Sequence, residues 1–118
     1  MPIDLVLCVK KNKSHCGLLQ LSHSAPSDIL YGKNYGYRSG LNSSMIYHLH
    51  ETSGSLSKKY VNDKQDFILD IGSNDGTLLN HLNSLDYKNL IGVDPTITKF
   101  KKFYKKDIVK IPSLFNED

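Results

Sequence analysis

The chain is predicted to be α/β: a small N-terminal β-hairpin and helix region, followed by a βαβαβ run that opens a doubly wound parallel sheet. Three observations carry this. Phe67-Ile-Leu-Asp-Ile71 and Leu90-Ile-Gly-Val-Asp94 are apolar runs with an acid at or near their ends, as expected of strands buried on both faces. Between and after them, apolar residues recur at helical spacing. Strand, helix, strand, helix, strand is the order of a parallel sheet with right-handed crossovers.

The elements follow in order. In residues 1–40, Asp4-Leu-Val-Leu-Cys8 and Leu18-Leu-Gln-Leu21 are short β-like runs joined by the lysine-rich loop VKKNKSH. A Pro-Ser-Asp turn at 26–28 leads into the aromatic, glycine-studded stretch ILYGKNYGYRSG. Residues 41–65 form a linking region. Leu41, Met45, Leu49 and Leu56 predict a helix from Leu41 to about Tyr60, with Asn42 or Ser43 near its cap. Ser53-Gly54-Ser55 is expected to weaken it, and a polar linker follows.

Residues 66–118 open with the strand Phe67–Ile71. Thr77–Leu85 then places Leu78, Leu79, Leu82 and Leu85 on one helical side. Leu90–Asp94 is closed by Pro95. Ile97, Phe100, Phe103 and Tyr104 keep helical spacing, with Lys99, Lys101, Lys102, Lys105 and Lys106 around the outside. Ile108–Ile111 is a third strand before Pro112.

Composition limits the function classes. With 118 residues, 39% hydrophobic and 23% charged, the chain is one ordinary domain or two very small ones. Its mean hydropathy of −0.37 is that of a soluble globular protein. A net charge of +3 permits an anionic ligand without indicating nucleic acid. The KFKKFYKK run at 99–106 reads as a solvated helix face. The first apolar run is too short and too broken by Asp4 for a signal peptide or membrane span. Two cysteines and no export signal indicate a reducing, cytoplasmic setting.

The stretch FILDIGSNDGTLLNHL, Phe67–Leu82, carries the chemistry. In open α/β sheets ligands bind beyond the carboxyl ends of the strands, where the turn at 72–76 falls. Glycine lets backbone approach a ligand closely, and the following helix start offers N–H groups. A dinucleotide fingerprint begun at Gly72 requires glycine at 74 and 77, where the chain has Asn74 and Thr77. Present instead is Asp70-x-Gly72-x-x-x-Gly76, with Asp94 ending the next strand. Such an acid can accept both hydroxyls of an adenosine ribose, which suits a nucleoside cofactor lacking a pyrophosphate. Asp70 either faces an ammonium group or orders the loop.

This pattern resembles the first motif of class I S-adenosylmethionine-dependent methyltransferases. The succession CGLLQLSH, ILYGKNYGYRSGLNSSM and DIGSNDGTLL is similar to the sugar C-methyltransferases, whose N-terminal zinc-binding domain precedes a Rossmann-like class I methyltransferase domain. The resemblance implies S-adenosylmethionine as cofactor and a nucleotide-linked deoxy-keto-sugar as substrate, methylated on carbon beside the ketone. It implies Gly72, Ser73, Asn74, Asp75 and Gly76 around the methionine part, Asp70 supporting the turn, and Asp94 on the ribose. Family members are several times longer, so the chain is expected to be a piece. The general base, from a downstream histidine region, is expected beyond it. The first strand's unpaired edge is then expected to promote self-association.

Tyr35, Tyr37 and Arg38 sit in the glycine-rich loop, as a lid over cofactor and sugar or as a loop packed on the sheet; the resemblance favours the lid. Cys8 and Cys16 are the candidate metal ligands, with His15 and His23 as conceivable additions. Seven residues separate the cysteines, where the family has a two-residue knuckle, and structural zinc needs four ligands. Two reduced thiols packed in the hairpin are therefore expected, with zinc confined to the intact parent domain. His48 and His50 read as surface residues on different helix faces. Two other classes stay open: a nicotinamide-dependent nucleotide-sugar enzyme and a non-enzymatic zinc-knuckle module.

Overall fold

The structure, a computed structural model, describes residues 3–9 and 16–116. It is mixed α/β, with a two-stranded antiparallel sheet and a three-stranded parallel sheet. The chain divides into two compact units, Met1–Gly32 and Lys33–Asp118.

In the first unit, β1 (Leu5–Leu7) pairs antiparallel with β2 (Leu19–Leu21), setting Leu5 opposite Leu21 and Leu7 opposite Leu19. All four leucines are exposed. A one-turn helix, α1 (Ser27–Leu30), starts after Pro26, whose ring presets the backbone for a helix entry. His15 and residues 10–14 of the lysine-rich loop lie outside the described residues.

The second unit contains α2 (Ser43–Tyr60), β3 (Phe67–Ile71), α3 (Thr77–Ser84), β4 (Asn89–Val93), α4 (Ile97–Phe100) and β5 (Val109–Ile111). The strands are parallel in the order β3-β4-β5, with Asp70 opposite Gly92 and Gly92 opposite Lys110. Asn42 caps α2, its side-chain oxygen accepting from Ser44 N at 2.9 Å. Ser53-Gly54-Ser55 does not interrupt that helix. Ser53 and Ser57 are the residues α2 buries, while Leu41 and Leu56 stay exposed. Small side chains let α3 come close, and Ser53 Oγ reaches both Leu49 O at 2.7 Å and His81 Nδ1 at 2.8 Å.

One core serves the sheet. Leu79 and Leu82 of α3, Leu90 of β4, and Ile97, Tyr104 and Ile108 of the second crossover pack together, with Ile68 of β3 against them. Both crossovers therefore cover the same face. The expected burial on two faces describes β4 but not β3, where Phe67, Leu69 and Ile71 are exposed. β3 is an edge strand, and these side chains point away from the core.

The second crossover is also less regular than its spacing predicts. α4 makes one turn and a 3₁₀ turn follows at Lys101–Phe103. Asn80 of α3 takes this backbone: its amide nitrogen donates to Phe103 O at 2.8 Å and its oxygen accepts from Lys105 N at 2.8 Å. Among the described residues, no helix is long and apolar enough to cross a membrane.

Candidate functional site

At the end of β3 the chain folds over the end of β4. Gly72 N and Ser73 N donate to Val93 O at 2.8 and 3.3 Å, and Gly76 N donates to Ser73 O at 2.8 Å. Gly72 and Gly76 have φ of 80° and 76°, and Asn74 between them has φ 48°, a conformation asparagine tolerates better than most residues. The two glycines differ in surroundings. A Cβ on Gly76 would lie 2.6 Å from the Tyr104 ring, whereas one on Gly72 would meet nothing within 4 Å. Gly76 is packed; Gly72 presents bare backbone to open space.

Asp94 follows β4 and is 8% exposed. Its Oδ2 accepts from Asn74 N at 2.9 Å, and its Oδ1 accepts from Thr96 N at 2.7 Å and Thr96 Oγ1 at 2.5 Å. An ionised carboxylate has about four acceptor positions, so one remains beside the turn. A ribose diol that used both its hydroxyls would displace Thr96 Oγ1.

Tyr104 holds the turn from below. Its hydroxyl donates to Asn74 O at 2.9 Å and lies 2.8 Å from Ser73 Oγ. Burial, first of all, drives the phenol's pKa far above its ordinary value, and Asp94, Asp70 and Asp75 add to this against the opposing Ser73 bond. Tyr104 therefore stays a neutral donor. The spacing placed it on the apolar side of a helix; its hydroxyl, which needs a partner when buried, was the signal of a second role.

The turn's side chains face the loop at 33–41. Asn74 Oδ1 accepts from Ser39 N at 2.9 Å, and Asn74 Nδ2 donates to Tyr37 O at 3.3 Å. Asp75, 1% exposed, accepts from Gly40 N at 2.9 Å and Arg38 Nη1 at 3.4 Å on Oδ2, and from Thr77 N and Oγ1 on Oδ1. The Arg38 guanidinium also stands 3.8 Å from the Phe103 ring centroid. Lys99 Nζ donates to Lys33 O and Tyr35 O, so this lysine ties the loop where a solvated face was expected. Tyr37 itself is half exposed.

Asp70 stands apart from this set. It is on the core side of β3, lining a cavity of about 310 Å³ whose walls include Ser57, Val61, Ile68 and Leu82. Desolvation, and then Asp94, raise the pKa of its carboxyl above the ordinary aspartate value.

In the hairpin, Cys8 and Cys16 are free thiols that the fold brings together. Hydrogen bonds from the Cys16 backbone and side chain lower the pKa of Cys8. His23 pairs with Asp4 at 3.4 Å. Among the described residues no three His, Cys, Asp or Glu side chains converge as a metal site. His50 is not a plain surface residue: its ring stacks on His81 at 4.1 Å.

Neither the protein-family models nor the curated proteins include a match to this chain.

Proposed function

We propose that the turn at 72–76 and Asp94 form part of an S-adenosylmethionine site. The parallel sheet is then the first half of a Rossmann-like class I methyltransferase sheet. The chain belongs, on this reading, to a C-methyltransferase acting on a nucleotide-linked keto-deoxysugar. One observation supports it above the others: the carboxylate just after β4 is bonded to the glycine turn just after β3, and Gly72 of that turn presents bare backbone to open space. Carboxylate and bare backbone together suit a nucleoside carrying an amino-acid tail.

The cofactor supplies the methyl group. Gly72 and Ser73 give backbone for the methionine part to lie against, and Gly76 lets Tyr104 pack beneath the turn. Asp94 receives a ribose hydroxyl. Asn74 and Asp75 serve the site through the loop at 33–41, which positions Tyr35 and Tyr37 for the sugar. Arg38 braces that loop against Asp75 and Phe103. Cys8 and Cys16 are assigned to a zinc centre only in the intact parent domain, with ligands these residues do not supply.

Titration calorimetry with S-adenosylhomocysteine tests the reading. Asp94→Ala is expected to weaken binding by about 1.5–3 kcal/mol, the usual range for a hydrogen bond to a charged group. Unchanged affinity would remove Asp94 from the site.

A further inference from the structure

We infer that Asn74 is a positioning residue that couples cofactor binding to closure of the loop at 33–41. This rests on the S-adenosylmethionine reading and extends it to how the substrate side of the site is assembled. The backbone of Asn74 belongs to the turn: its N–H donates to Asp94 and its carbonyl accepts from Tyr104. Its side chain belongs to the loop, accepting from Ser39 N and donating to Tyr37 O. One left-handed residue thus sets two geometries at once.

Other ties hold the loop as well: Gly40 N and Arg38 reach Asp75, the next residue of the same turn, Arg38 also stands over the Phe103 ring, and Lys99 holds the carbonyls of Lys33 and Tyr35. Four hydrogen bonds with the loop therefore fall on two consecutive residues of the turn that the cofactor is proposed to line at 72 and 73. A ligand that fixes the turn through 72 and 73 also fixes the direction of the Asn74 amide and Asp75 carboxylate. The loop then closes onto groups already ordered, at a smaller entropy cost. Linkage makes the effect reciprocal: a loop that closes less well must weaken the cofactor by the same factor. Cofactor would precede sugar, because Tyr35 and Tyr37 are set in place by its arrival.

Two substitutions separate coupling from simple architecture. Asn74→Gly keeps a left-handed backbone accessible and deletes the amide clamp. Ser39→Pro leaves the turn untouched and removes the one N–H that reaches Asn74 Oδ1. Proline suits that position, because Ser39 opens a 3₁₀ turn after extended Arg38.

Amide hydrogen exchange and calorimetry on the full chain read the outcome, with S-adenosylhomocysteine as the probe. Saturating ligand is expected to slow exchange at Ser39 and Gly40 by about 5-fold or more, the low end of ordinary site-to-site coupling. In Asn74→Gly that protection is expected to vanish while ligand still slows the amides of 72 and 73. Ser39→Pro is expected to weaken the ligand by about 5-fold, although position 39 is not placed in contact with it. Binding that leaves Ser39 and Gly40 unchanged in the native sequence overturns the coupling and spares the cofactor assignment. Undiminished affinity in Ser39→Pro does the same. No binding at all overturns both.

Discussion

At Gly72 the place a methyl group would take is open, and at Gly76 the Tyr104 ring fills it. Both residues have positive φ, so alanine at either meets the left-handed penalty of about 1–2 kcal/mol. Gly76→Ala must in addition displace a buried ring, and overpacking commonly adds about 1–3 kcal/mol. Urea denaturation is therefore expected to show Gly76→Ala as much the less stable variant. Gly72→Ala is expected to fold and to bind S-adenosylhomocysteine poorly, because its methyl enters the space proposed for the ligand. Equal losses of stability would place the two glycines in one role. Tyr104→Phe leaves Asn74 O without its buried donor and is expected to cost about 1–3 kcal/mol. The glycines and Asp94 were legible as a motif, since spacing along the chain is what a motif records. Tyr104 and Lys99 were not, because each acts on residues brought near only by folding.

At the level of elements, α2 and α3 meet through an unusual joint. Ser53 and Ser57 are the buried residues of α2, and His50 stacks on His81 beside a cavity of about 390 Å³ lined also by Glu51 and Lys58. The spacing predicts that α2 exists and that Asn42 or Ser43 stands near its cap, because both depend on near neighbours in sequence; the structure gives Asn42. It does not reveal that the serine-glycine stretch is the seam, since a small-residue contact looks locally like a weak point. Burial, then the neighbouring His50, lower the pKa of His81 below the ordinary histidine value, against a weaker pull from Glu51. The unfolded chain then binds the proton more tightly, so stability falls as pH drops below about 6.5 and levels off once folded His81 is protonated. The melting temperature is expected to decline across that interval, and to decline less in His50→Gln. A profile identical in the two proteins would exclude the stacked pair as its cause.

For the whole molecule, the central strand β4 is covered on both faces, while the edge strands leave one face of the sheet partly open. Parallel sheets normally occur with both faces buried, yet Phe67, Leu69 and Ile71 of β3 and Val109 and Ile111 of β5 are exposed. The apolar strands were legible as runs along the chain. The unpaired edge of the first strand was expected from the family resemblance and is seen at β3; its exposed outer face was not, because an apolar run reads the same whether or not something covers it. The chain is expected to self-associate with rising concentration in sedimentation velocity, through this face and the β3 edge. Leu69→Lys is expected to shift it toward monomer, and a native chain that stays monomeric throughout would remove the prediction.

On the proposed reading, the glycine turn and Asp94 together receive a nucleoside with an amino-acid tail. Backbone amide shift mapping by proton–nitrogen NMR, with S-adenosylhomocysteine and NAD added in separate titrations, tests it most directly. S-adenosylhomocysteine is expected to move the amides of residues 72–76 and 94, with Ser39 and Gly40 following, and NAD to leave them in place. Shifts that spare 72–76 and 94, or an equal response to NAD, would contradict that reading.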